Sequence, residues 1–353
     1  MTIINKYIGK TLANVIALVI LVLAGLEAFI EFSREFTDMG TGYYGLSQVL
    51  TYVPMILPAD IYQLFPMAGL LGSIIGLGIL ASNSELIVMR TSGISIPRIT
   101  WSVVKVAFLI ICCMVFIGEV ISPQLQHIAT ANKTTALSQG QTFLTRQGIW
   151  IRYKNNFIHI NKIHDGHADL ITRYTFDDSN RLQLVSTAAS GDYQNDKWIF
   201  NHVKQTEFFD NHTKSSQFNT QEWGINFSPQ ILGLTTIDTD QKSLLELHDY
   251  IKYRKQSGLD PSHYKFIFWQ RIFQPLASLV MIILAIPFVF GPLRTATMGL
   301  RMLAGVITGF GFHIFNQFLG PLSIVYQVPP IIAALAPSLF FAALGGFWLM
   351  RLR

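Results

Sequence analysis

Few residues in this chain have the spacing that catalysis requires. Its 9 histidines show no metal-ligand spacing, and the motifs H-E-x-x-H and G-x-S-x-G are absent from the sequence. Gly9-Lys10-Thr11 resembles the end of a phosphate-binding P-loop, but that loop needs a glycine where Ile4 stands. We therefore expect no catalytic residue, no metal and no cofactor of the chain's own.

One short polar segment is suited to binding a partner. Ser82-Asn83-Ser84-Glu85 follows a charge-free run, and Glu85 is a single acid among basic loops, available to a cationic group on another protein. The same S-x-x-E spacing is typical of a capping box, in which Glu85 would only complete the first turn of a short helix. The residues alone leave both interpretations open. The spacing recurs at Ser243 and Glu246, where it predicts the start of an amphipathic helix.

A second set of charged residues lies at the ends of the apolar runs that face away from the Ser82–Glu85 segment. Arg34, Lys133 and Arg271 could line the mouth of a cavity and bind the phosphate groups of an anionic lipid. Alternatively, these long side chains could extend to the membrane interface without a specific ligand.

Two G-x-x-x-G motifs lie in apolar segments, at Gly72–Gly76 and Gly305–Gly309. Small residues at this spacing allow helix backbones to approach closely in lipid. The contact could lie within one subunit or between two subunits, and both possibilities stay open here.

The elements that position these residues are apolar helices. The chain has 353 residues, of which 50% are hydrophobic and 13% charged, and its mean hydropathy is +0.38. A soluble domain would hold about a quarter charged residues. The apolar runs predict six membrane spans: within 11–36, 61–84, 101–121 and 271–294, and two within 302–350, divided at Gly320-Pro321 and Pro329-Pro330.

The basic residues predict the orientation of these spans. Those at the termini and in the short loops fall on one side: Lys6, Lys10, Arg90, Arg98, Arg294, Arg301, Arg351 and Arg353. The positive-inside rule places this side, with both termini, in the cytoplasm. Because these cations flank apolar spans, the net charge of +5 does not indicate nucleic-acid binding.

A polar insertion separates the third span from the fourth. Between about Pro123 and Gly258, segments of alternating polarity such as FIHINKI and KWIFNHV are divided by turn residues such as Asp165-Gly166 and Asn195-Asp196. This pattern predicts an all-β sandwich or jelly roll on the periplasmic side. The predicted domains are residues 1–122 with a short helix near 82–93, residues 123–258, and residues 259–353.

Several strings of the sequence resemble the LptF/LptG family of lipopolysaccharide-export permeases. They include KYIGKT, FPMAGLLG, LGILASNSELIVMRTSG, GEVISPQ, FQPL, FGPLR and LGPLSIVYQVPPIIAAL, spread over nearly the whole chain. The segment SELIVMRTSG is the most specific of them. The resemblance implies a polytopic α-helical membrane protein with three spans, an inserted periplasmic β-jelly-roll domain and three further spans.

The resemblance also implies a function and partners. Family members form a heterodimer, here with an LptF-like paralogue, around a cavity that opens to the periplasm. An LptB-like ATPase dimer below them binds and hydrolyses all the ATP. Lipopolysaccharide enters from the inner membrane between the first and fifth spans of the two subunits and passes to LptC-like and LptA-like bridge proteins. The chain itself would be a non-catalytic permease subunit of the bacterial inner membrane.

Carried onto this sequence, the resemblance assigns the helix around Ser84–Thr91 to coupling with the ATPase. Its contact residues would be Ser84, Glu85, Leu86, Met89 and Arg90. Lys133 falls where similar proteins carry a basic residue just after the third span. The first span departs from the pattern, because similar proteins carry lysines at positions that this chain gives to Glu31 and Asp38. Only Arg34 is basic nearby.

An integral membrane lipid-modifying transferase with a periplasmic domain is the main alternative function. It would need a cluster of polar residues at membrane depth, and the spans offer His313, Asn316 and Gln317. A static scaffold would present the β domain but would not explain the polar helix at Glu85. We therefore predict a permease that is driven by a separate ATPase.

Overall fold

The chain folds into two compact units. The structure, a computed structural model, describes residues 3–137, 148–164, 167–179, 181–194, 197–209, 211–223, 241–290 and 297–351. Contacts divide it into a helical unit, residues 1–133 and 262–353, and a β unit, residues 134–261. The predicted turns Asp165-Gly166 and Asn195-Asp196 and the loop cations Arg294 and Arg353 lie outside the described residues.

Six helices within the described ranges are long and apolar enough to cross a membrane, as the sequence predicts. The third of them is continuous from Ile96 to Leu137 through a π-helical turn at Ile117–Ile121. The helices are α1 (Ile3–Glu35), α2 (Leu46–Ser82), α3 (Glu85–Thr91), α4 (Ile96–Phe116), α5 (Ser122–Leu137), α6 (Leu244–Gln256), α7 (Ser262–Phe290), α8 (Met298–Val325) and α9 (Pro330–Met350).

Helix α2 begins at Leu46, well before the predicted start of the second span at Ile61. Its interior holds Pro54, Pro58 and Pro66. In a soluble protein each proline would remove one backbone hydrogen bond and favour a break. Inside a helix bundle, neighbouring helices can satisfy the carbonyl groups that the prolines leave without a donor.

The carbonyl oxygen of Tyr62 shows this compensation directly. Pro66, four residues later, has no N–H with which to donate to it. The buried side-chain amide of Gln274 on α7 donates to Tyr62 O instead, at 3.1 Å, and to Gln63 O at 3.3 Å. The side chain of Gln274 therefore replaces the missing backbone donor and holds α7 against α2.

Two predicted boundaries differ from the structure. Gly320-Pro321 lies inside α8, and the chain leaves the helix only at Tyr326. The ring of Phe266 on α7 packs against α8 at Gly320, where a Cβ would lie 2.8 Å from Phe266 Cε1. The helical unit also extends to Lys133, past the predicted boundary at residue 122, because α5 continues the third span.

The first G-x-x-x-G motif packs α2 against α1. A Cβ built on Gly72 would lie 2.7 Å from the Cα of Ile16, which is closer than side-chain atoms approach backbone. A Cβ on Gly76 would meet Leu12 Cδ2 at 3.5 Å, an ordinary contact. The motif therefore serves packing within the subunit, with Gly72 at the tightest point.

The second motif packs α8 against the same helix. A Cβ on Gly305 would lie 2.7 Å from Ile74 Cδ1, and one on Gly309 would lie 2.8 Å from Met67 Cγ. Both contact residues belong to α2. Helix α2 is thus the centre of the bundle, in contact with α1, α7 and α8.

The β unit contains one antiparallel sheet of six strands that pair in chain order. The predicted all-β domain is confirmed, and the described strands form an up-and-down meander. Residues 138–147 and 224–240 lie outside the described ranges. The strands are β1 (Ile149–Tyr153), β2 (Asn156–His164), β3 (His167–Phe176), β4 (Leu182–Gln194), β5 (Lys197–Phe208) and β6 (Thr213–Glu222).

Apolar side chains from five strands form the core of the β unit: Ile149, Ile151, Ile158, Ile160, Ala168, Ile171, Ala188, Trp198, Phe200 and Val203. Helix α6 begins with the predicted capping box, since Ser243 Oγ accepts from Glu246 N at 3.3 Å and Glu246 Oε2 accepts from Ser243 N at 2.7 Å. Tyr253 of this helix donates to Arg152 O on β1 at 3.4 Å.

Candidate functional site

The first candidate site is the hairpin that α3 forms between α2 and α4. Ser84 precedes α3 and reverses the chain with φ of 60°, in the left-handed region. The capping-box interpretation of Ser82 and Glu85 is wrong, because Ser82 is the last residue of α2 and its hydroxyl donates to Gly78 O at 2.9 Å. Glu85 is therefore not held by the cap that its spacing suggested.

The carboxylate of Glu85 is half-buried and held by two neighbours. Tyr7 of α1 donates its hydroxyl to Glu85 Oε1 at 3.2 Å, and Asn83 Nδ2 lies 3.4 Å from the same oxygen. A carboxylate can accept up to about four hydrogen bonds. The side chain is thus positioned at the start of α3 and still has acceptor capacity for a partner.

One face of α3 is buried in the core of the bundle, and the other face is exposed but also apolar. Leu86 is buried in the core with Ile8 and Ile99, and Met89 packs partly against the same core. Ile87 and Val88 are 61% and 60% exposed. Arg90 is exposed in the last turn.

The sequence reasoning missed Ile87 and Val88. The signal was available, because a seven-residue helix with four consecutive apolar residues cannot bury all of them against one neighbour. Exposed apolar side chains beside a positioned acid are typical of a protein–protein contact.

The second candidate site surrounds Lys133 near the end of α5. Its ammonium lies 2.8 Å from each carboxylate oxygen of Glu35 and 2.9 Å from Asp38 Oδ2. The ammonium also lies 5.5 Å and 5.0 Å from the ring centroids of Tyr44 and Tyr52. We call these five residues the Lys133 cluster.

Glu35 is the buried centre of the Lys133 cluster, with 6% of its surface exposed. The hydroxyl of Tyr44 donates to Glu35 Oε2 at 2.5 Å. Burial, together with this hydrogen bond to the Glu35 carboxylate, raises the pKa of Tyr44, so the hydroxyl remains a donor at neutral pH. The cluster joins the end of α1, the following turn, the start of α2 and the end of α5.

The other two predicted lipid ligands lie outside this cluster. Arg34 is 65% exposed and pairs with Glu31 one turn earlier on α1. Arg271 is half-buried on α7. Glu31 and Asp38, the two acids that replace the lysines expected from the family pattern, thus pair with Arg34 and with Lys133.

Three carboxylates of α1 and α2 come together in a way that the sequence did not indicate. One oxygen from each of Glu27, Glu31 and Asp60 lies within 4.8 Å of the others, close enough to share a metal ion. All three residues are half-buried, and Glu31 also pairs with Arg34.

The polar residues of α8 do not form a catalytic cluster. His313 and Asn316 are half-buried, and Gln317 is exposed. Catalytic groups need partners within hydrogen-bond reach. Within the part of the chain that the structure describes, none of the three has a hydrogen-bonding or ion-pairing partner from another helix.

The family comparison covers nearly the whole chain. The model of the lipopolysaccharide export system permease family LptF/LptG matches residues 6–351. A protein of Escherichia coli K12, named lipopolysaccharide export system permease protein LptG, is 36% identical over 354 residues, or 99% of this chain and 98% of the relative. The protein of the same name from Haemophilus influenzae is 34% identical over 352 residues, with the same two coverages. This chain therefore belongs to the LptF/LptG family of lipopolysaccharide export permeases.

Proposed function

We propose that this chain is a non-catalytic permease subunit that extracts lipopolysaccharide from the inner membrane while a separate cytoplasmic ATPase supplies the energy. The family and the six membrane-crossing helices make it a multi-pass inner-membrane permease subunit. Exposing acyl chains costs about 0.8 kcal/mol per CH₂ group. The sequence has no P-loop with which to offset that cost by hydrolysing ATP itself.

The proposed orientation has both termini and α3 in the cytoplasm and the β unit in the periplasm. The hydrogen bond between Tyr7 and Glu85 brings the start of α1 and the α3 hairpin to the same end of the bundle. Cations near that end support a cytoplasmic location: Lys6, Lys10, Arg90, Arg98 and Arg351. The connection to the β unit follows α5, which ends at the other side.

Helix α3 is the proposed contact with an LptB-like ATPase dimer. Its anchored face, through Leu86, transmits force to the bundle core, while Ile87 and Val88 are free to enter an apolar pocket of the partner. Glu85 and Arg90 add charges of opposite sign at the two ends of this short helix. The division of α3 into a buried anchor and an exposed apolar surface is the observation that carries the proposal.

The remaining proposed partners are an LptF-like paralogue and LptC-like and LptA-like bridge proteins. Helices α1 and α8 leave much of their apolar surface uncovered, which suits a partner subunit and a lateral path for lipid between them. Large exposed side chains on the two helices include Leu18, Leu21, Phe29, Ile307, Phe310 and Phe318.

The decisive experiment changes the exposed surface of α3. In the variant Ile87→Ser/Val88→Ser, we expect affinity for the cytoplasmic ATPase to fall at least about tenfold, because interface hot spots contribute about 2 kcal/mol or more. The single variant Glu85→Ala should weaken binding or uncouple hydrolysis from export. Leu245→Ser is the matched control, since Leu245 is an exposed apolar residue of the β unit.

The measurements are co-purification with the ATPase and ATP-driven lipopolysaccharide release from proteoliposomes. Unchanged binding and release in the α3 variants would refute the coupling role. The purified chain alone should hydrolyse no ATP, and turnover that persists after removal of contaminating ATPases would refute the non-catalytic assignment.

A further inference from the structure

Helices α1 and α4 begin at the same end of the helical unit and pack against each other there. Ser102 Oγ of α4 donates to Asn5 Oδ1 of α1 at 2.8 Å. One turn later on both helices, a Cβ built on Gly9 would lie 2.7 Å from Val106 Cγ2. Because both contact positions advance by four residues, the two helices are parallel and in close contact. We call this contact the α1–α4 seam.

The two sides of the α1–α4 seam differ in chemistry. On one side, Ile8 of α1 and Ile99 of α4 are buried in the same core cluster. An α-helix turns about 100° per residue, and on this count four exposed cations lie on the opposite, outer side. They are Lys6 and Lys10 of α1, and Arg98 and Lys105 of α4.

Trp101 lies on the same outer side of α4, between the two cations of that helix. Its side chain is 60% exposed, and Lys105 Nζ lies 5.7 Å from the centroid of its ring. An exposed tryptophan next to a cation is typical of the membrane interface, where both side chains meet lipid headgroups. We call Trp101 and the four cations the seam cluster.

The cations of the seam cluster are not neutralised by acids of their own helices. The first acidic residue of α1 is Glu27, and α4 contains none. Glu85, in the adjacent α3 hairpin, accepts from Tyr7 and Asn83. Within the described ranges, none of the four cations forms an ion pair, whereas Lys133 has two carboxylates. Like charges that converge on one surface are stabilised by an anion placed between them.

The seam cluster is too long for a single phosphate group. Arg98 and Lys105 are seven residues apart, which corresponds to about 10 Å along the helix axis. The contacts of the seam place Lys10 about 3 Å from the level of Lys105, and Lys6 about 8 Å from the level of Arg98. Each helix thus contributes one cation near either end of the cluster.

We propose that the seam cluster binds an anionic glycerophospholipid with two phosphate groups, of the cardiolipin type. One phosphate lies between Arg98 and Lys6, and the other lies between Lys105 and Lys10. The acyl chains continue along exposed apolar residues on the outer side of α4, which include Phe108, Leu109 and Phe116. The lipid would join the two helices next to the α3 hairpin.

The test measures lipid binding to the full chain, purified with its natural partners, by native mass spectrometry in detergent. The probes are cardiolipin, phosphatidylglycerol with one phosphate and one net charge, and zwitterionic phosphatidylcholine. The variants are Arg98→Gln and Lys105→Gln. Arg351→Gln is the matched control, because Arg351 is an exposed arginine near the same end of the bundle and also lies over an aromatic ring, that of Phe347.

We expect the parent protein to bind cardiolipin at least about fivefold more tightly than phosphatidylglycerol, and phosphatidylcholine more weakly still. Arg98→Gln and Lys105→Gln should each lower the affinity for cardiolipin about fivefold, the contribution of one cation near an anionic lipid surface. Arg351→Gln should leave the affinity unchanged.

Four results would overturn the site. They are equal affinities for cardiolipin and phosphatidylglycerol, an unchanged affinity in both seam variants, an equal loss in Arg351→Gln, and displacement of cardiolipin by equimolar bisphosphorylated lipid A, which would assign the cluster to the transported lipid. If the seam variants fail to assemble, a photocrosslinking residue replaces Leu109 in the parent protein. Labelled cardiolipin should then crosslink more strongly than labelled phosphatidylglycerol, and equal crosslinking would again exclude the site.

The proposed site requires only that α1 and α4 cross a membrane. It does not depend on which lipid the permease exports. ATP-driven release of lipopolysaccharide is scored separately, so failure of the site would leave the proposed function standing.

Discussion

Replacing Lys133 with methionine should destabilise the helical unit far more than replacing an exposed cation does. The substitution keeps a long apolar stem but removes the ammonium that lies 2.8 Å from Glu35 and 2.9 Å from Asp38. Glu35, only 6% exposed, would then keep its charge with the Tyr44 hydroxyl as its remaining partner in the cluster. An uncompensated buried charge of this kind costs about 3–5 kcal/mol.

The lower end of this range applies, because Asp38 is 46% exposed and water can reach part of the cluster. We therefore expect Lys133→Met to lose about 3 kcal/mol of unfolding free energy. The double variant Glu35→Gln/Lys133→Met should lose less than Lys133→Met alone, since no buried charge is left over. Reversible unfolding in mixed micelles, followed by a double-mutant cycle, measures both quantities.

The matched control is Arg34→Met. Arg34 also pairs with a glutamate of α1, but it is 65% exposed, so the expected loss is below about 1 kcal/mol. A loss of less than about 0.5 kcal/mol in Lys133→Met, or equal losses in the two variants, would refute the claim that Lys133 is a structural cation. It would restore Lys133 as a freely available ligand for lipid phosphate.

Two further predictions concern packing and protonation. Gly72→Ala should lower the free energy of unfolding by about 1–3 kcal/mol, because the new Cβ would lie 2.7 Å from Ile16 Cα. Gly25→Ala is the control, since no atom lies within 4 Å of a Cβ built there, and it should not destabilise the chain. Thermal unfolding compares the two variants, and equal melting temperatures would contradict the packing argument. The hydrogen bond that His167 Nδ1 donates to Asp192 Oδ1 raises the pKa of His167. The contribution of this contact to stability is therefore full below about pH 6.5 and disappears as the pH rises through the raised pKa. Asp192→Asn should lower that pKa in an NMR titration of the imidazole, and an unmoved titration would exclude the ion pair.

The number of spans was predictable because lipid requires long apolar runs, and each run is visible in the sequence. The start of α2 was not, because Pro54 and Pro58 give the same signal as a break in a soluble helix. The donor that replaces a lost backbone hydrogen bond, Gln274, lies more than 200 residues from Tyr62 in the chain. A local pattern contains no information about such a distant donor.

The candidate site was predictable only in part for the same reason. The sequence identified Glu85 and Lys133 as unusual charges, yet it did not show what they contact. Lys133 meets Glu35 across a separation of 98 residues, and this ion pair changes its interpretation from available ligand to paired cation. The glycine motifs likewise predicted close packing, but only the positions of Ile16 and Met67 show that the packing is internal.

Helix α2 connects the two candidate sites, and its composition bears on how motion could pass between them. Tyr52 near its start lies over the ammonium of Lys133, and its end at Ser82 leads directly into α3. Its 37 residues extend over about 55 Å. A displacement of α3 by a partner therefore reaches the Lys133 cluster through one continuous element.

The two halves of α2 differ in a way that suits this connection. The half next to α3 contains Gly72 and Gly76 in close contact with α1, so it moves with its neighbour as a packed body. The other half contains Pro54 and Pro58, where missing backbone hydrogen bonds reduce the cost of bending. Bending there would move Tyr52 relative to Lys133 and weaken the cation–π contact between them. Of the two carboxylates that pair with Lys133, Asp38 is the more exposed, so we expect its ion pair to be the first that such bending weakens.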